Sequence, residues 1–194
     1  MHDYTIADYV DLETHTNVKH ELIDGEIYAM TGGTPNHALL IANAMFQLQR
    51  AAGVMGCRVF SSDLRIRVPG RNVILYPDAS VVCGKPEMDT EDPMAIRNPR
   101  LILEVTSRSS CETDRGEKYE HYQHLPSLRE YIVVSHEERR VEVFRRNDNQ
   151  WALAATASGG ELELDSLAST IDIDAIYQLM VIPIPSPHDD GPSA

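Results

Sequence analysis

Two carboxylates interrupt stretches of this chain that are otherwise apolar. Asp78 lies inside Ile74-Leu75-Tyr76-Pro77-Asp78-Ala79-Ser80-Val81-Val82, and Glu104 inside Leu101-Ile102-Leu103-Glu104-Val105-Thr106. Carboxylates are seldom buried unless they are paired or bound to a metal. Strand side chains alternate, so Glu104 and Thr106 share one face while Leu103 and Val105 take the other. Two strand carboxylates at a sheet edge are a suitable pair of ligands for a hard divalent cation. Mg²⁺ takes one or two carboxylates, keeps several waters and leaves room for a phosphate. The structural alternative is that Asp78 caps a turn after Pro77 and Glu104 pairs with an arginine.

Further along, Asp114, Lys118 and Tyr122 stand at i, i+4 and i+8, on one face of a helix. A lysine pointing from that helix toward the strand carboxylates could steady a phosphate or activate a water. The same spacing also describes an ordinary surface Asp–Lys pair. Lys118 is one of only three lysines, with Lys19 and Lys85. His37, at the start of an earlier helix, either bonds to a site carboxylate or is a satisfied half-buried histidine. His121 and His124 have a metal-compatible i, i+3 spacing but no third partner in sequence, which favours a solvated face. No Ser–His–Asp arrangement, phosphate loop or dinucleotide fingerprint is present, and Gly32-Gly33-Thr34-Pro35 reads as a turn.

The elements that must position these groups are legible in outline. Thr5-Ile6-Ala7-Asp8 has capping-box spacing ahead of a short helix through Leu12. Asp24-Gly25 between two short apolar runs signals a hairpin. His37, Leu40, Ile41, Ala44, Met45 and Leu48 form one apolar helix face. Strands are expected at residues 57–61, 64–68, 73–83 and 101–106, the second half-exposed because Leu64-Arg65-Ile66-Arg67-Val68 alternates. Residues 84–99 read as a long polar loop. A helix over 114–125 stops at Pro126, antiparallel strands follow at 131–135, 141–146 and 151–156, and a closing helix covers 173–180. The turn at 146–149 is polar. The pattern is mixed α/β with one central sheet, in a single domain over residues 1–182 and a Pro/Ser/Asp-rich disordered tail over 183–194.

Composition narrows the function. The chain has 194 residues, of which 17 are basic and 30 acidic, for a formal charge of −13. Such a chain repels a phosphate backbone at long range, so nucleic-acid work would need a local basic patch, a metal ion, or both. Arg65, Arg67, Arg71, Arg97, Arg100 and Arg108 are candidates for that patch, or else ordinary solvated surface. Three cysteines, Cys57, Cys83 and Cys111, form no CxxC pair and are expected to be reduced thiols. No apolar run approaches a membrane span and Met1-His2-Asp3-Tyr4 lacks a secretory layout, so a cytoplasmic protein is expected.

With these residues in view, the sequence resembles the Uma family of restriction-endonuclease-like proteins, within the PD-(D/E)xK nuclease superfamily. The resemblance runs from Tyr4 to Met180. It rests on His20-Glu21-Leu22-Ile23-Asp24-Gly25-Glu26, on Pro77-Asp78-Ala79-Ser80-Val81-Val82, on Leu103-Glu104-Val105-Thr106-Ser107, and on Asp114…Lys118…Tyr122 followed by Glu130-Tyr131-Ile132-Val133-Val134. It implies a restriction-endonuclease-like α/β fold, a mixed central β-sheet flanked by helices. Asp78 and Glu104 would be the metal-binding halves of the motif and Glu21 the additional acidic residue. Thr106 stands where the superfamily usually has lysine, and Lys118 on the following helix fits the migrated role. The implied chemistry is Mg²⁺- or Mn²⁺-assisted hydrolysis of DNA phosphodiesters. The competing reading is a nuclease-like fold acting as a homodimeric binding or assembly module with little catalysis. In that case replacing Asp78 or Glu104 by its amide should raise stability without any metal effect.

Overall fold

Residues 3–106, 116–148 and 150–180 are described by a computed structural model. Local chemistry sets its first elements. Helix α1 (Ile6–His15) begins at the Thr5 cap, whose hydroxyl accepts from the Asp8 N–H while the Asp8 carboxylate accepts from the Thr5 N–H. Strands β1 (His20–Ile23) and β2 (Glu26–Ala29) pair antiparallel around Asp24 and Gly25, whose φ values of 48° and 90° supply the twist of a tight hairpin. Thr34 then caps α2 (Pro35–Gly53), with Pro35 in the first turn, where its missing N–H costs nothing.

The central sheet has six strands in the order β11-β10-β9-β8-β6-β3. They span β3 (Arg58–Ser61), β6 (Ala79–Val82), β8 (Leu101–Thr106), β9 (Glu130–Ser135), β10 (Val141–Asn147) and β11 (Gln150–Ala157). Only the β8–β9 pairing is parallel, so the sheet is mixed. A second sheet, in the order β2-β1-β5-β4-β7, adds β4 (Arg65–Arg67), β5 (Val73–Leu75) and β7 (Ala95–Ile96). A separate hairpin, β12 (Glu161–Leu164) and β13 (Ser169–Asp172), precedes the short α4 (Ile173–Ile176).

Helices cover both faces of the central sheet. On one side Leu40, Ala44 and Leu48 of α2 pack with Val81, Leu103, Val105 and Ile132. On the other, Tyr122 of α3 (Glu117–Tyr122) packs with Ile102, Tyr131 and Val133. Strand β8 is therefore buried along its whole length, and the alternation sends Ile102 to the α3 side. Glu104, two residues on, must face the same way.

Several expectations need correction. The stretch 73–83 is two strands in two sheets, because Pro77 cannot donate to a ladder and the chain changes sheet there. Strand β4 is wholly buried rather than half-exposed. The segment 84–99 is no featureless loop: β7 pairs parallel with β4, and Asp92 is fully buried. The closing helix ends at Ile176, short of the expected 180. Cys57 and Cys83 are joined as a disulfide rather than held as thiols, since the β3–β6 register (Arg58↔Val82) sets them opposite each other. Asp114, Cys111, Asn149, the start of the expected helix at 114 and the expected tail over 183–194 lie outside the described residues. No described helix is long and apolar enough to cross a membrane.

Candidate active site at the junction of the two sheets

The change of sheet at Tyr76-Pro77-Asp78 creates the site. Strand β6 pairs with β8 as Ala79↔Leu103, so the next step of the register sets Asp78 opposite Glu104. The two are latched reciprocally: the Asp78 N–H donates to Glu104 Oε2 at 3.1 Å, and the Val105 N–H donates to Asp78 Oδ2 at 2.7 Å. Each carboxylate thus takes a backbone donor from its neighbour's strand, which offsets part of the cost of setting like charges side by side. Glu104 is only 3% exposed.

Glu21 enters from β1 in the other sheet. The Tyr76 N–H donates to Glu21 Oε1 at 3.0 Å, tying that carboxylate to the crossing between sheets. Lys118 reaches down from α3, with its Nζ 2.9 Å from Glu21 Oε1 and 4.0 Å from Glu104 Oε1. One turn later on the same helix, the Tyr122 hydroxyl donates to Glu104 Oε1 at 3.1 Å. Burial, reinforced by Glu104, holds the Tyr122 phenol well above its ordinary pKa of 10, so it remains a donor. The structure thus brings Glu21, Asp78, Glu104 and Lys118 together, with Lys118 near the place that Thr106 leaves without a cation.

Sequence reasoning left His37 open and did not find its partner. From the first turn of α2 its Nε2 lies 2.9 Å from the Val105 carbonyl oxygen and 3.5 Å from Asp78 Oδ2. A carbonyl only accepts, so the imidazole proton stands on Nε2. The backbone donors at Tyr76, Asp78 and Val105 carry no sequence signal. His136 had none either; its ring lies 6.2 Å from that of His37, edge to face. Burial is the main cause that pushes the His136 pKa below the ordinary value; Glu137 opposes that shift and His37 adds to it. These groups line an open cleft of about 680 Å³ that also includes Tyr28, Glu137 and the 30–34 connection between β2 and α2.

The other candidates go elsewhere. His121 lies 3.8 Å from Asp24 Oδ2, whereas His124 Nε2 takes a 2.7 Å hydrogen bond from Arg71. The expected arginine patch does not form among the described residues. Arg65 makes a two-pronged pair with Asp92 (2.5 and 2.7 Å), and Arg67 donates to the carbonyls of Val68, Arg71 and Val73. Arg97 lies near Asp89, and Arg100 donates to the Ser166 carbonyl. These arginines serve folding, and Arg108 lies outside the described residues.

The donor set suits a hard divalent cation: Asp78 and Glu104 carboxylates with the Val105 carbonyl, all oxygen, open to water on the cleft side. Among the described residues no three His, Cys, Asp or Glu side chains gather as a closed metal site would require. An open, water-completed site needs no such gathering.

A mixed sheet with helices on both faces and a carboxylate pair at a strand junction is the architecture of a restriction-endonuclease-like nuclease. A solved structure described as "a putative nuclease belonging to DUF820", from Anabaena variabilis ATCC 29413, superposes with a TM-score of 0.69 at 14% identity, covering 89% of this chain and 99% of that one. Residues 6–175 match the Uma2 family, described as "Putative restriction endonuclease", and the chain belongs to that family. Two uncharacterized proteins of Synechocystis sp. (strain ATCC 27184 / PCC 6803 / Kazusa) are similar. The protein slr1290 is 31% identical over 88% of this chain and 90% of its own length, and sll1609 is 33% identical over 77% and 85%.

Proposed function

We propose that the chain is a divalent-cation-dependent endonuclease that hydrolyses DNA phosphodiester bonds, with Glu21, Asp78, Glu104 and Lys118 as its working groups. The observation that carries this reading is a half-buried ammonium, Lys118, set between Glu21 and Glu104 and beside the Asp78–Glu104 latch at a sheet junction, in a cleft open to solvent. Asp78, Glu104 and the Val105 carbonyl would hold Mg²⁺ or Mn²⁺. When bound there, the cation supplies a water of lowered pKa and neutralises charge developing on the phosphate.

The chain's own residues do the rest. Lys118, beside Glu21 and Glu104 on the cleft wall, would meet a phosphate oxygen or the attacking water. Glu21 holds that ammonium on the cleft side. Tyr122 fixes the rotamer of Glu104 from below. Among the described residues the cleft lining carries Glu21, Asp78, Glu104 and Glu137 against one lysine, Lys118, so without a cation it repels phosphate. Dependence on a divalent ion follows from that balance, as does modest affinity for DNA given the overall charge of −13. A homodimer would present two such clefts to one duplex.

The test is incubation of the purified chain with supercoiled plasmid and single-stranded DNA, with and without Mg²⁺ or Mn²⁺, beside Asp78→Ala and Glu104→Ala. Metal-dependent nicking lost in both variants is the expected result. Absence of nicking in a parent that binds metal would remove DNA as the substrate.

A further inference from the structure

Resting on the nuclease reading above, we propose that Tyr28 is a base-stacking platform beside the cleft, and that the DNA it accepts is single-stranded or locally unpaired.

The chain has eight tyrosines, and Tyr28 alone is exposed, at 48%. Burying an aromatic ring is among the larger gains a fold can make, and Tyr9, Tyr76, Tyr122, Tyr131 and Tyr177 are all buried. The exception has a particular place. Tyr28 is the direct cross-strand partner of Glu21 in the β1–β2 pair, and opposite residues of an antiparallel pair share a face. Glu21 faces the cleft, so Tyr28 faces it too, and both side chains line it. Among the described residues the Tyr28 ring joins no apolar cluster and stacks on no other ring.

The ring is held even so. Its hydroxyl donates to Glu26 Oε2 at 2.5 Å, two residues back on the same face of β2. That bond is the main cause that raises the phenol above its ordinary pKa of 10, so the ring stays neutral among carboxylates. There is open space beside it on two sides. Tyr28 also lines an adjoining cavity of about 690 Å³ between the β1–β2 hairpin and α3. Among the described residues its walls carry Asp24, Glu26, Glu117 and Glu120 against one arginine, Arg71. Such a wall favours the uncharged end of a nucleotide, its base, over the phosphate.

Stacking is the attraction these surroundings permit. Phosphate contacts need cations, whereas a π-face takes a base without charge and with little regard to sequence. In an intact duplex both faces of each base are already stacked on neighbours. A protein ring reaches a base only in a single strand or where a base has left the stack. The preference for unpaired DNA follows from that.

The experiment measures kcat and KM for cleavage of a single-stranded oligonucleotide and of the matched duplex with Mg²⁺ or Mn²⁺. It uses the full chain and its Tyr28→Leu, Tyr28→Phe and Tyr28→Trp variants. The parent should show a kcat/KM for the single strand at least about fivefold above that for the duplex, the lower end of what one stacked base is worth. Tyr28→Leu should lose at least about that factor on the single strand, mainly through KM, and less than about twofold on the duplex. Tyr28→Phe and Tyr28→Trp keep a π-face and should retain the preference. The indole introduced by Tyr28→Trp should also be quenched by the oligonucleotide, beyond any change of Trp151 in the parent. Equal cleavage of both forms by the parent, an undiminished preference in Tyr28→Leu, or no added quenching in Tyr28→Trp overturns the inference and leaves the nuclease reading standing. A parent that cleaves neither form with either ion overturns both. The quenching decides the matter even if Tyr28→Leu does not fold.

Discussion

Lys118 should be the internal counter-ion of the carboxylate cluster, and Lys118→Met tests this directly. Its ammonium lies 2.9 Å from Glu21 and 4.0 Å from Glu104, and the Lys118 and Glu21 side chains are only 13% and 9% exposed. At an effective dielectric constant near 20 these two attractions are worth about 6 and 4 kcal/mol before desolvation. Removing one partner of a buried pair leaves the other charge unpaired and typically costs about 3–5 kcal/mol. For a chain of this size each kcal/mol moves the midpoint by about 2–4 °C, so Tm should fall by about 6–20 °C. Methionine keeps the length and apolar stem of lysine, which confines the loss mainly to charge. Calorimetry and urea unfolding at neutral pH would measure it in the parent, Lys118→Met, Glu21→Gln and the double variant. The coupling energy of that cycle should be positive and large, because the neutral Glu21→Gln side chain no longer needs the ammonium. Added Mg²⁺ or Mn²⁺ should stabilise Lys118→Met more than the parent, since a cation then meets uncompensated carboxylates. A loss below about 1 kcal/mol, the value of an exposed pair, or a coupling near zero would refute the counter-ion argument.

Three further outcomes follow from the same geometry. Asp92→Ala removes the two-pronged partner of the Arg65 guanidinium and leaves it only the longer contacts to Glu13 and the Tyr76 hydroxyl, so it should cost about 3 kcal/mol in urea unfolding, with a loss under about 1 kcal/mol counting against a closed Arg65–Asp92 pair. Tyr122→Phe removes a donor to a buried carboxylate and should cost about 1.5–3 kcal/mol without metal, while an unchanged midpoint would show that Glu104 does not need that hydroxyl. Because burial depresses the His136 pKa below 6.5, the unfolded chain binds its proton first as pH falls. His136 therefore contributes stability that is full above pH 6.5 and is lost as pH drops from there through the folded pKa. His136→Gln should flatten that slope in unfolding titrations, and an identical slope in both proteins would reject the assignment.

What the sequence made legible was local. The Asp24-Gly25 hairpin, the Thr5/Asp8 capping box and the apolar face of α2 depend on residues within one or two turns of each other, and all three formed. Asp78 and Glu104 stood out because an acid inside an apolar run demands a partner, and Lys118 because a helix face could be drawn through it. The misreadings share a cause in sequence distance. The alternation at Arg65 and Arg67 suggested an exposed face, yet Arg65 is satisfied by an aspartate 27 residues away in a segment that read as loop. Cys57 and Cys83, 26 residues apart, meet only because of the β3–β6 register. His37 and the Val105 carbonyl are 68 positions apart, and a backbone acceptor leaves no trace in composition.

The distribution of positive charge gives the site its logic. The described arginines at 65, 67, 97 and 100, four of the six that could have formed a basic patch, are engaged by the chain's own carboxylates and carbonyls. At the sheet junction Lys118 is set against Glu21 and Glu104, and the His37 N–H donates to the Val105 carbonyl beside Asp78. These two positions differ in kind. Lys118 is held in an ion pair with Glu21 and stands beside Glu104, whereas His37 donates to a backbone carbonyl and lies 3.5 Å from Asp78. On the proposed function, a divalent ion held by Asp78 and Glu104 would add positive charge where the cleft lining carries its carboxylates, and would let a surface that repels phosphate accept it.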